Sequence, residues 1–186
     1  MVTSVPSDHP QIVPARAAEH RKLVRIHGDR IRLYDKLARE LLQSEHDAHL
    51  HGMREAQRQA DRPARAMLAI AYHAQRTELE LRRLVVPHQP VGAMAALGVA
   101  KTFSHLRHFA LDRLLAHERT YRATLLGMRH GLDAAHLLSA VADRARRGEV
   151  RDFCDRLIEE RTPLIEAAVE VVGWFADHPR LALTHA

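Results

Sequence analysis

A long stretch without proline is the feature that most restricts what this chain can form. Residues 16–59 contain no proline, and apolar residues recur there every three or four positions. This spacing places them on one face of an α-helix, and no part of the chain alternates with the period of two expected for a half-buried strand. The apolar face of this first predicted helix is made of Leu23, Ile31, Tyr34, Leu37, Ala38, Leu41 and Ala48.

The rest of the chain repeats the same helical spacing between proline and glycine breaks. Asp61 is a candidate N-cap and Pro63 fits the first turn of a second helix, which covers about residues 64–86. A proline-containing connection at 86–92 leads to a third helical region that starts near residue 93. That region either breaks at Gly127 and Gly131 or continues to 147, where a tight turn around Gly148 precedes a last helix at 149–177.

Composition indicates one domain with an aliphatic core. The 186 residues are enough for a single hydrophobic core, and because aromatic residues are only 4%, that core must consist mainly of Leu, Ala, Val and Ile. We predict a helical domain at 16–178, with a disordered N-terminal tail at 1–15 and a C-terminal tail at 179–186. The single Cys154 excludes an internal disulfide. The N-terminus lacks a signal-peptide pattern and no apolar run is long enough to span a bilayer, so a cytoplasmic protein is expected.

Two predicted helix hairpins, 16–86 and 93–178, are joined by the proline-containing connection. The second hairpin includes "HLLSAVADRARRGEVRDFCDRLIEERTPLIEAA" at residues 136–168. This layout resembles that of the ferritin-like four-helix bundles, and the resemblance implies an all-α antiparallel bundle of two long helix hairpins. The metal centres of that group use Glu-x-x-His motifs, and no glutamate in this chain is followed by histidine three positions later. The resemblance therefore concerns topology alone.

The histidine-rich stretch "SEHDAHLH" at 44–51 divides between two sides of the first helix. Helical direction places Glu45 and His49 on the apolar face, whereas His51 points outward and His46 lies at the edge. On the second helix, Glu78 also lies on the apolar face, at about the same distance from the turn as Glu45. These residues predict either a divalent metal site for Fe, Zn or Mn, or a structural layer of Glu–Arg or Glu–His pairs.

Other polar residues fall on the predicted core faces or on the outside of the helices. His27, His117 and Arg161 continue apolar stripes and are predicted to be buried. His105, His108 and Asp112 share an outward face, which suits either a surface metal or a protein contact. A basic outward stripe on the first helix is a candidate nucleic-acid surface, formed by Arg21, Arg25, Arg32, Lys36 and Arg39.

The sequence favours a non-enzymatic binding or scaffolding protein that forms homo-oligomers, because long helices leave surface for a second copy to cover. No glycine-rich phosphate loop and no Gly-x-Ser-x-Gly turn is present. Two alternatives remain open. One is a metal-binding bundle that uses Glu45, His49 and Glu78, and the other is a nucleic-acid-associated basic protein, for which the net charge of +5 is weak support.

Overall fold

A computed structural model describes residues 12–85 and 116–184, and nearly all of them are helical. The four main helices are α1 (Ile12–Arg58), α2 (Asp61–Val85), α3 (His117–Arg144) and α4 (Gly148–Glu170). A 3-10 turn at Val171–Gly173 then leads to two short helices, α5 (Trp174–Asp177) and α6 (Pro179–Leu183). The predicted all-α class is confirmed.

The helix pairs α1–α2 and α3–α4 fold back on themselves through short turns. Asp61 begins α2 with a φ of 49°, a left-handed conformation that aspartate tolerates better than most residues. In the second turn the left-handed residue is Arg146, with a φ of 57°, and Gly148 is already the first residue of α4. The turn therefore lies just before the glycine around which the sequence predicted it.

Helix α3 is continuous through both of its glycines, which settles one question that the sequence left open for residues 117–144. Gly131 is buried at the contact with α1, where a Cβ atom would overlap the hydroxyl oxygen of Ser44. Gly127 is exposed and has open space around its Cα. Gly131 thus allows two helices to approach closely and does not end the helix.

The core has two apolar clusters, one toward each end of the bundle. The first includes Tyr34, Leu41, Leu81 and Phe153, together with Cys154, whose pKa is raised to about 12 by burial. The second cluster contains Ala48, Ala56, Met67, Ile70, Ala74, Tyr121, Leu125, Met128, Ile165, Ala168 and Phe175. On each of α1, α2 and α4, buried polar residues lie between the members of the two clusters.

The N-terminal part of α1 extends beyond the other described helices. The bundle ends near Arg30, whose Nη1 donates to the carbonyl oxygen of Arg144 over 3.2 Å, and near Tyr34, whose ring lies 5.9 Å from the Arg147 guanidinium carbon. Leu23 and Ile31 lie before Tyr34, the first buried residue described on α1, and are 61% and 44% exposed. Their prediction as core residues is wrong, because the buried part of the stripe begins only at Tyr34.

The C-terminal residues return to the start of α3. The backbone N–H of His117 donates to the carbonyl oxygen of Thr184 over 3.1 Å, and Phe175 packs edge-on against Tyr121 with ring centroids 5.4 Å apart. Part of the predicted C-terminal tail is therefore the short helix α6. The predicted N-terminal tail lies largely outside the residues that the structure describes.

Candidate functional site

A buried polar layer separates the two apolar clusters and joins α1, α2 and α4. Arg161 Nη2 lies 2.6 Å from Glu45 Oε2, and each residue is only 1% exposed. The Thr77 hydroxyl donates to the same carboxylate oxygen. A buried charge is tolerated when it is paired and hydrogen-bonded, and this ion pair meets that condition across three helices.

His73 connects this layer to the protein surface. Arg161 Nε donates to His73 Nδ1 over 2.8 Å, and because a guanidinium has no acceptor, Nδ1 must carry no proton. The proton of the neutral ring is therefore on Nε2, which donates to Glu160 Oε2 over 3.0 Å. Burial lowers the pKa of His73, and the neighbouring Arg161 charge lowers it further. The histidine is thus held neutral in one tautomer.

The predicted triad of Glu45, His49 and Glu78 is not assembled into one site. Glu78 accepts a hydrogen bond of 2.7 Å from Arg82, and its other oxygen lies 3.3 Å from His46 Nδ1. His49 instead directs Nδ1 to the carbonyl oxygen of Ala71 at 3.2 Å. The layer forms through a Glu–Arg pair, one of the alternatives that the sequence left open.

The pKa of Glu78 reflects those partners. Burial by itself raises it, but the hydrogen bonds from Arg82 and His46 outweigh burial, so the net shift is downward. Within residues 12–85 and 116–184, no three side chains of His, Cys, Asp or Glu are grouped so that they could hold a metal ion. His46, which the sequence separated from the acids, is the histidine that meets Glu78.

The three other polar residues that were predicted to be buried differ in how exposed they are. Arg161 is buried as its stripe suggested. His27 is exposed at the edge of a pocket that Tyr34 and Arg147 also line, so its prediction as a buried residue is wrong. His117 is only half-buried, because it is the first residue of α3 and lies at the end of the bundle.

The basic residues of α1 that were predicted to form a nucleic-acid surface lie on its outer side, where acidic neighbours neutralise part of their charge. Arg32 pairs with Asp29, and Lys36 Nζ lies 3.4 Å from Glu40 Oε1. Arg39 is half-buried and donates to the carbonyl oxygen of Asp35. Arg21 and Arg25 are exposed. The predicted surface site of His105, His108 and Asp112 lies outside the described ranges.

A cleft between α1 and α3 was missed by the sequence analysis. Its volume is about 510 Å³, and among its lining residues is Glu55, which is only 2% exposed. Glu55 Oε1 accepts hydrogen bonds from Gln59 Nε2 at 2.6 Å and from the Thr120 hydroxyl at 2.8 Å. Burial raises the pKa of this carboxyl group.

Helical spacing could have found Glu55. It follows Ala48 by seven residues, about two helical turns, so it lies close to the same face of α1. What the spacing could not show is the cleft itself, because its second wall comes from α3.

None of the helices in the described ranges combines the length and the apolar character needed to cross a membrane. Comparison with known protein families, with curated proteins and with solved structures gave no match to this chain.

Proposed function

We propose that this protein is a non-enzymatic helical-bundle scaffold that pairs with a second copy of itself through the projecting part of α1. One observation carries the proposal, namely the cluster of large apolar side chains that this part of the helix leaves in solvent. Leu23, Val24, Ile26, Ile31 and Leu33 are between 39% and 61% exposed. Such a concentration on one element is typical of an interaction surface.

The projecting helix has the residue spacing of a helix–helix seam. Glu19, Leu23, Ile26, Arg30 and Leu33 follow one another at alternating intervals of four and three residues. This alternation places all five along one side of α1, and it is the spacing by which two helices pack as a coiled coil. The same stripe enters the bundle core at the next interval, with Leu37.

The seam is complementary to itself when two copies run in opposite directions. The midpoint between Leu23 and Ile26 is also the midpoint between Glu19 and Arg30. A twofold axis at that midpoint brings the leucine of one copy opposite the isoleucine of the other, and the glutamate opposite the arginine. Isologous pairs of this kind are the commonest form of protein oligomer.

Scaffolding is favoured over metal binding because Glu45, His49 and Glu78 each have a different partner. The ferritin-like antiparallel layout remains part of the proposal. It is supported by the two helix pairs and by the position of residues 86–115 between them in the chain.

A charge-exchange experiment tests the pairing. Sedimentation equilibrium should show the parent chain as a dimer, and Glu19→Arg or Arg30→Glu should each weaken dimerisation because like charges then face each other. Combining both changes should restore the dimer. Leu126→Glu is the matched control, since Leu126 is 69% exposed on α3, away from the seam. A monomeric parent chain, or a double variant no better than the single ones, would contradict the proposal.

A further inference from the structure

The cleft between α1 and α3 contains a buried carboxylate whose two oxygens have different surroundings. Glu55 Oε1 accepts the two hydrogen bonds from Gln59 and Thr120. Arg58 Nη1 lies 4.0 Å from Oε2, which is beyond hydrogen-bonding distance. Because Oε1 already has two donors, Oε2 is the oxygen with capacity to accept from a molecule in the cleft.

The walls of the cleft combine apolar and charged groups. Ala48 on α1 and Ala123, Gly127 and Met128 on α3 supply apolar surface. Three acidic residues lie along the cleft, against two arginines and two histidines. The net charge of its lining is therefore −1 when the histidines are neutral. The charged lining residues are Glu40, Asp47, Glu55, Arg54, Arg58, His51 and His130.

We propose that this cleft binds a small organic cation, with an ammonium group donating to Glu55 Oε2 and an apolar body lying against Ala48 and Met128. A carboxylate that has lost most of its hydration gains more from a cationic donor than an exposed carboxylate does. Thr120 and Gln59 hold Oε1 and so fix the orientation of the carboxyl group. The cleft volume lies within the roughly 300–1,000 Å³ that small-molecule sites occupy.

Burial of Glu55 gives the proposal a second observable. The pKa of this carboxyl is raised by desolvation, and the hydrogen bonds from Gln59 and Thr120 and the charges of Arg58 on α1 and His117 on α3 only partly offset this. A bound ammonium group favours the ionised carboxylate, so binding should release a proton in the pH range where free Glu55 is partly protonated. Affinity should therefore fall as the pH drops through the raised pKa.

Three ligands with the same hexyl group distinguish the contribution of the charged head from that of the apolar body. Titration of the full-length protein with n-hexylammonium, n-hexanol and n-hexanoate at pH 8, followed by amide NMR shifts, compares a cationic, a neutral and an anionic head. We expect hexylammonium to bind most tightly and to shift residues on both walls of the cleft. Equal affinity for hexanol, tighter binding of hexanoate, or no saturable binding of hexylammonium would overturn the proposal.

Two further measurements assign the binding to Glu55. Glu55→Gln should weaken hexylammonium binding at least about tenfold, the effect expected from loss of a charge-assisted hydrogen bond. Glu159→Gln, at an exposed position on α4, is the control and should leave the affinity unchanged. Calorimetry of the parent protein in two buffers of different ionisation enthalpy counts the protons released at lower pH, which tests the assignment even if Glu55→Gln disturbs folding. Unchanged affinity in Glu55→Gln, or no proton release, would contradict it.

Discussion

At the residue scale, the two buried tyrosines of the bundle differ in one contact. The Tyr121 hydroxyl donates to the carbonyl oxygen of Ala168 over 2.9 Å. The Tyr34 hydroxyl is buried without a hydrogen-bond partner in the part of the chain that the structure describes. We expect Tyr121→Phe to lower the free energy of unfolding by about 1 kcal/mol, and Tyr34→Phe to leave it unchanged or raise it by up to about 1 kcal/mol. Urea denaturation of the two variants measures the difference, and equal losses would contradict these assignments.

The Glu45–Arg161 pair should be the most sensitive polar contact in the core. Glu45→Ala leaves the Arg161 charge buried without its carboxylate, so the free energy of unfolding should fall by about 3–5 kcal/mol. Glu159→Ala removes an exposed carboxylate from α4, so its effect should stay within about 0.5 kcal/mol. Chemical denaturation measures both changes. A loss below about 1 kcal/mol in Glu45→Ala would show that the pair is dispensable.

His73 should make stability depend on pH in a defined direction. Its pKa is lowered in the folded protein by burial, whereas in the unfolded chain the histidine takes up a proton near its ordinary pKa of about 6.5. The contribution of this neutral histidine is therefore present above that pH and is lost as the pH falls below it. The free energy of unfolding should decrease between pH 7.5 and 5.5, and less so in His73→Gln. His130→Gln, at an exposed position on α3, should keep the full decrease.

Single-residue roles could be predicted only in part from the sequence. Helical direction placed Glu45 and Arg161 on core faces, because that direction depends on one helix alone. Their contact depends on how α1 and α4 pack, which the spacing within each helix does not determine. His73 was missed for the same reason, since its partners Arg161 and Glu160 both come from α4.

At the element scale, two glycines inside helices should respond oppositely to the same substitution. A Cβ at Gly52 would lie 2.9 Å from Ala71 Cβ and 3.2 Å from the Met67 carbonyl oxygen, so Gly52→Ala should force α1 and α2 apart and destabilise the fold. Nothing lies within 4 Å of a Cβ at Gly127. Because alanine favours the helix over glycine, Gly127→Ala should raise the free energy of unfolding by about 0.5–1 kcal/mol. Thermal unfolding followed by circular dichroism distinguishes them, and a stabilised Gly52→Ala would contradict the close packing.

Helical periodicity found the helices but not the limits of their contacts. The stripe of α1 is regular from Leu23 to Ala48, yet only the part from Tyr34 onward is covered. A periodic stripe indicates which face of a helix can be buried. How much of that face is buried depends on the neighbouring elements, here the length of α2 and the position of the α3–α4 turn. Gly131 gives the converse case, since a residue that often ends a helix here serves a close helix contact.

At the scale of the whole molecule, α1 has two parts with different tasks. Its C-terminal part supplies residues to both core clusters and to the polar layer between them. Its N-terminal part leaves its large apolar side chains exposed. The folding of the bundle should therefore be separable from self-association.

Removal of the projecting part tests that separation directly. A chain that begins at Gly28 keeps Arg30, Tyr34 and all the α1 residues that are described as buried, so the described core loses none of its members. We expect its melting temperature at micromolar concentration to stay within a few degrees of that of the full-length Leu23→Glu variant, in which the seam is disrupted without truncation. Dimerisation should be lost in both chains, because the Leu23–Ile26 centre of the seam is absent or charged. If the shortened chain unfolds while the Leu23→Glu variant remains folded, the removed residues 1–27 contribute to the stability of the bundle itself. Retention of the dimer by the shortened chain would instead place self-association on another surface.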